Sequence, residues 1–177
     1  MDRFEYRRGE LHCEALRVAD IVAQVDTPAY IYSAGTFRDH YERIRTAFAE
    51  LDPLICYSVK CNGNIHICRL LAQAGSGFDV VSGGELFRAR EAGGDPARMV
   101  YAGVGKTDRE IGEALDAGLG LFNIESEEEL RNLDRLAGER GTVARAALRI
   151  NPDVDPKTHR YTTTGKRNTK FGVDIAH

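Results

Sequence analysis

The chain has 177 residues, a formal net charge of -3 and 42% hydrophobic content. These values suit a soluble globular protein able to bury a core, and a charge so near neutral gives no reason to expect nucleic acid or a membrane surface as partner. No apolar run approaches the roughly 20 residues of a membrane span, and the charged start Asp2 to Arg8 does not read as a secretion signal, so a cytoplasmic location is expected.

Phe4 to Cys13 alternates loosely around Arg8-Gly9-Glu10 and reads as a strand or hairpin. Leu16, Ile21, Val22 and Val25 suggest a short helix within Glu14 to Val25. Thr27-Pro28 breaks it, and Ala29-Tyr30-Ile31-Tyr32 reads as a further strand. Phe37, Tyr41, Ile44, Phe48 and Leu51 share one helical face, and Pro53 ends that segment.

Ile55 to Val59 is a short apolar, β-favouring run that stops at Lys60, with Asn62-Gly63-Asn64 as the turn. A lysine held at a buried strand end is expected to lose hydration, which favours the neutral amine that Schiff-base chemistry needs. The alternative is a lysine that only extends from a strand to solvent.

From Tyr57 the pattern repeats. Strand candidates centre near Tyr57, Asp79, Tyr101 and Asn123, about 22 residues apart, with a fifth near Leu148. Helical segments at 67–74, 86–92, 111–117 and 130–137 separate them. Ser82/Glu85, Thr107/Glu110 and Ser126/Glu129 each match a capping box, in which the hydroxyl caps the helix and the glutamate reaches back to the cap. Strand then helix at this spacing implies parallel strands with right-handed crossovers. Gly75-Ser76-Gly77 precedes a strand, so the dinucleotide-binding fingerprint fails its context. The short even repeats favour a (β/α)8 barrel over an open sheet. About five of the eight units are present, which suggests the N-terminal part of a longer protein.

Chemistry in such a barrel gathers at the C-terminal strand ends. Lys60 arrives there from the first of these strands, Asp79 and Ser82 from the second, Asn123 and Glu125 from the fourth, and Arg149 and Asn151 from the fifth. An amine, a carboxylate and a guanidinium on one face form a coherent polar site; the competing reading makes Asp79 and Arg149 a structural ion pair. The four cysteines include no CxxC pair, so neither disulfides nor a metal site is expected, and Cys61 reads as a small turn residue. His12, His40 and His66 read as surface or packing residues. Glu125 to Glu129 reads as a helix start, and Asp153 to Gly172 as an irregular active-site loop or a disordered segment.

These motifs resemble the diaminopimelate decarboxylases, alanine-racemase-like enzymes of fold type III that use pyridoxal 5′-phosphate. Tyr57-Ser58-Val59-Lys60-Cys61-Asn62 is similar to the family's cofactor-lysine motif, with Ser58 and Cys61 in place of the commoner alanines. Gly77 to Leu86 resembles the next motif almost residue for residue. Arg149-Ile150-Asn151-Pro152 resembles the fifth-strand segment. His159-x-Tyr161-x-Thr163-Thr164-Gly165 with Lys170-Phe171-Gly172 resembles the stretch that separates this family from ornithine decarboxylases.

The resemblance implies that Lys60 carries the cofactor and handles a proton, while Asp79 and Arg149 line the cofactor pocket. It implies decarboxylation of meso-2,6-diaminopimelate to L-lysine and homodimerisation of the full-length enzyme. It also implies a division into residues 1–35, joining a second, β domain, and residues 36–177, the first part of the pyridoxal-phosphate barrel. The family's phosphate-binding loop lies beyond His177, which leaves open whether this piece binds cofactor or is active alone. Rival readings are a related decarboxylase of ornithine, arginine or carboxynorspermidine, and a non-catalytic pyridoxal-phosphate barrel.

Overall fold

Phe4–Arg7 (β1) and Glu10–Cys13 (β2) form an antiparallel hairpin with Arg7 opposite Glu10. Arg8 and Gly9 make the two-residue turn at φ 52° and 85°, the left-handed pair whose twist matches that of the flanking strands. Leu16–Arg17 (β3) adds antiparallel to β2 and runs directly into the helix Val18–Val25 (α1). The computed structural model that shows this describes residues 2–151 and 172–174. The expected loop at Asp153 to Gly172 therefore falls almost wholly outside the described residues, as do the family-like positions His159 to Phe171.

The small sheet docks on the start of the helix Ala34–Ala47 (α2). Glu14 Oε1 accepts from Ser33 Oγ and from the Gly35 N–H, both at 2.7 Å. The Gly35 N–H, then the Ser33 hydroxyl, hold the Glu14 carboxyl below its usual range. Arg3 forks onto Asp39 of the same helix with bonds of 2.9 and 3.0 Å.

Two expectations for this region are corrected. Ala29 to Tyr32 forms no strand, and Tyr30 is 89% exposed. Strand propensity reports fit to a pleated surface, and no strand among the described residues pairs with this segment. The apolar stripe of α2 also fails in its second half. Tyr41 is buried with Ile67 and Leu71, but Ile44 is half exposed. The helix ends at Ala47, leaving Phe48 and Leu51 outside it.

The remainder is the repeat the spacing predicts. Strands Cys56–Ser58 (β4), Gly77–Val80 (β5), Met99–Tyr101 (β6), Leu121–Ile124 (β7) and Ala146–Leu148 (β8) form one five-stranded sheet in chain order. Every neighbouring pair is parallel. The connecting helices are Ile65–Gln73 (α3), Gly83–Glu91 (α4), Asp108–Asp116 (α5) and Glu127–Glu139 (α6). Ile150–Asn151 (β9) pairs in parallel with Val173–Asp174 (β10).

Alternation along the strands separates two faces. Phe78, Val80, Met99, Tyr101, Phe122 and Ile124 lie in register under the helices and are no more than 1% exposed. With Leu86, Ile111, Leu133 and Leu136 from the helices they make the main core. The other face carries Ser58, Asp79, Val100, Leu121 and Asn123, half buried and polar toward the strand ends. Two glycines permit the close stacking of units. A Cβ on Gly77 would lie 2.2 Å from the Arg98 carbonyl oxygen, and one on Gly120 2.2 Å from that of Ala97. Both carbonyls belong to the single turn Pro96–Arg98, so neither glycine tolerates a side chain without backbone movement.

The three caps divide. Thr107 and Glu110 form the complete box. Ser82 and Ser126 cap their helices, but their glutamates reach one residue further back. Glu85 accepts from the Val81 N–H and Glu129 from the Glu125 N–H, each at 2.9 Å. The two serines are nearly fully extended (φ -157° and -155°), whereas Thr107 has φ -83°. That difference places the preceding N–H, rather than the cap's own, within the glutamate's reach.

Candidate active site

Lys60 sits where strand β4 gives way to the single 3-10 turn Val59–Cys61. Val59 is 1% exposed and pins the turn to the core, while the next side chain faces away from it. Lys60 Nζ lies 3.5 Å from Asp79 Oδ2. The same carboxylate oxygen accepts from Ser58 Oγ at 2.8 Å. Parallel register sets this meeting, since Ser58 and Asp79 are direct neighbours on the half-buried face.

The turn is held from two sides. Tyr57 Oη donates to the Asn62 carbonyl at 3.1 Å, and Arg88 Nη1 of α4 donates to that of Gly63 at 3.2 Å. Burial, ahead of neighbouring thiols, pushes the Tyr57 phenol up to about 12, so it remains a proton donor throughout neutral pH. Asn64 then caps α3 by accepting from the His66 N–H.

The hydration loss expected of Lys60 does not occur. Its side chain is 57% exposed. The strand ends one residue before the turn, and the turn carries the amine out of the pleat toward the open polar face.

Arg149 also reaches the C-terminal strand ends, but it does not meet Asp79. Its Nη1 pairs with Glu125 at 3.2 and 3.3 Å. The expected group of three is thus two pairs on one end of the sheet: Lys60 with Asp79 at β4–β5, and Arg149 with Glu125 at β7–β8. The structural ion pair between Asp79 and Arg149 is likewise not formed. Cys61 is exposed on the turn, and His40 and His66 are exposed.

Sequence reasoning missed Lys106. Its side chain is 1% exposed, and its Nζ donates to the Gly103 and Asn123 carbonyls, both at 2.8 Å, and to Glu129. The Tyr101 ring lies beneath it, 5.6 Å from ring centre to nitrogen. A lysine one residue before a helix cap carries no sequence mark of burial. The two lysines divide the chemistry. Lys106 has every donor engaged, whereas Lys60 offers an accessible amine that, among the described residues, pairs with the Asp79 carboxylate. Among the described residues no three His, Cys, Asp or Glu side chains gather to hold a metal, and no helix is long and apolar enough to cross a membrane.

Fold and site together define an α/β domain of parallel βα units that presents an amine and a carboxylate at the C-terminal ends of its first two strands. The model described as pyridoxal-dependent decarboxylase, pyridoxal binding domain, matches residues 34–177, and the chain belongs to that family. It is 50% identical over 171 residues to the diaminopimelate decarboxylase of Aquifex aeolicus, covering 97% of this chain and 40% of that protein. It is 48% identical over 174 residues to the Vibrio cholerae enzyme of the same name, covering 98% and 42%. Among solved structures, the M. jannaschii diaminopimelate decarboxylase in co-complex with L-lysine matches with a TM-score of 0.90 at 35% identity, over 99% of this chain and 42% of that one. The Helicobacter pylori diaminopimelate decarboxylase complexed with L-lysine matches with a TM-score of 0.85 at 40% identity, over 88% and 40%. The chain thus spans about two fifths of the length of these relatives.

Proposed function

We propose that this chain is the N-terminal part of a pyridoxal 5′-phosphate-dependent decarboxylase that converts meso-2,6-diaminopimelate to L-lysine and CO2. The observation that carries the proposal is the accessible Lys60 amine at a strand end, 3.5 Å from Asp79, in a chain of the pyridoxal-binding family. An exposed amine fits a group that attaches through an aldehyde. The names of relatives at 42–50% identity favour diaminopimelate over ornithine, arginine or carboxynorspermidine as substrate.

When bound, the cofactor supplies a sink for the electron pair left as CO2 departs. The residues of this chain supply attachment, orientation and proton handling. Lys60 Nζ would hold the cofactor through its aldehyde carbon and would hold or move a proton beside it. Asp79, fixed by the Ser58 hydroxyl, orients the lysine. Arg149, paired with Glu125, lines the same end of the sheet. We further propose that the five strands are part of a closed (β/α)8 barrel, that residues 1–35 join a second, β domain, and that the whole enzyme is a cytoplasmic homodimer.

Borohydride reduction after incubation with pyridoxal 5′-phosphate tests the site. Intact mass is expected to rise by one reduced adduct, and peptide mapping to place it on Lys60 and never on Lys106. Lys60→Ala removes it. An adduct retained by that variant refutes the assignment. For the substrate, the parent enzyme is expected to release CO2 and L-lysine from meso-diaminopimelate; turnover of ornithine in its place overturns that part.

A further inference from the structure

A buried ammonium is costly unless its partners are well placed, so Lys106 raises the question of what its contacts achieve. They close a ring. Lys106 Nζ donates to the Gly103 carbonyl at 2.8 Å. The Gly103 N–H donates to Glu125 Oε1 at 3.2 Å. The Glu125 N–H donates to Glu129 Oε2 at 2.9 Å, and Glu129 Oε1 returns to Lys106 Nζ. Glu125 is therefore gripped twice, at its carboxylate and at its backbone, and both grips lead back to one amine. A third bond, to the Asn123 carbonyl at 2.8 Å, ties the ring to the C-terminal end of β7. The side chains of Glu125 and Glu129 are 3% and 12% exposed, so solvent does little to screen the ring.

We infer that Lys106 is a positioning residue that holds Glu125, and through it the Glu125–Arg149 pair, at the sheet end that carries Lys60. Methionine, apolar and one atom shorter, would fill most of the same space. It would leave the Gly103 and Asn123 carbonyls without this donor and Glu129 without its counter-charge. The functional consequence rests on the proposed role of Arg149, but the positioning itself is measurable without cofactor.

The test uses the full chain, with Lys106→Met, Lys106→Arg and Glu129→Gln. Amide exchange and the Arg149 guanidinium Nε resonance are followed by NMR. In Lys106→Met the Gly103 and Glu125 amides are expected to exchange about tenfold faster or more, the scale set by losing a charge-assisted hydrogen bond. The Arg149 resonance is expected to move toward that of the exposed Arg131. Amides of the β4–β5 ladder keep their rates, and Lys106→Arg restores part of the effect. An unchanged Glu125 amide and Arg149 resonance in folded Lys106→Met overturns the inference. So does acceleration spread evenly over all sheet amides, which marks a merely structural lysine. If Lys106→Met does not fold, Glu129→Gln is read by the same criteria. Pyridoxal 5′-phosphate titration of Arg149→Met separates the two levels. Unchanged affinity removes Arg149 from the cofactor site, while the exchange data alone decide the role of Lys106.

Discussion

Glu110 joins two successive βα units, and removing it tests whether the repeat is held by its caps as well as by its core. Its Oε1 accepts from the N–H of Gly83, the first residue of α4, at 2.8 Å. Its Oε2 accepts from the Thr107 N–H at 3.1 Å and from the Thr107 hydroxyl at 2.8 Å. Loss of the capping interaction costs about 1 kcal/mol. Loss of a charged acceptor for the Gly83 N–H adds about 1–2 kcal/mol after allowance for partial exposure. Glu110→Ala is therefore expected to destabilise by about 2–3 kcal/mol, or about 4–12 °C in Tm for a chain of this size.

The effect has a definite pH dependence. The Gly83 N–H first, then that of Thr107, hold the Glu110 carboxyl below its ordinary 4.5. A depressed carboxyl stabilises the fold fully above the unfolded value, and this contribution disappears as pH falls through the lower folded value. The gap between wild type and variant in urea unfolding should thus be widest at neutral pH and shrink under acid. A gap below about 0.5 kcal/mol at pH 7, within the range of an ordinary surface change, would refute the reasoning, as would one that widens on acidification.

Two packing predictions follow from the same framework. Phe78→Ala empties a site that is fully buried and edge-on to Tyr57 at 6.4 Å between centroids; a loss of about 3–5 kcal/mol in urea unfolding is expected. Gly120→Ala places a methyl 2.2 Å from the Ala97 carbonyl oxygen, so it should cost more than about 2 kcal/mol and retain less folded protein on expression. A stability equal to wild type would show that the Pro96–Arg98 turn can yield.

Much of the fold was legible because it is written locally. Each of the five expected strand centres falls inside an observed strand, and each expected helix overlaps an observed one. Apolar spacing and a serine or threonine before each of α4, α5 and α6 need only neighbouring residues to be read. Ala29 to Tyr32 failed for the opposite reason. Its residues favour a strand, but a strand exists only beside a partner. Lys60 was placed correctly at a strand end and wrongly as desolvated, because solvent contact depends on how the following turn leaves the sheet.

From the amino-acid order alone came the succession of βα units, the lysine at the first strand's end and the likeness to a pyridoxal-dependent family. These follow from side-chain periodicity and short motifs, which act over a few residues. Only the tertiary structure decided the pairings. Register set Asp79 beside Lys60, while the strand-end loops set Glu125 beside Arg149 and buried Lys106 against Glu129. Charged groups 19 to 24 residues apart in sequence meet through strand register and loop path, and no local pattern encodes either.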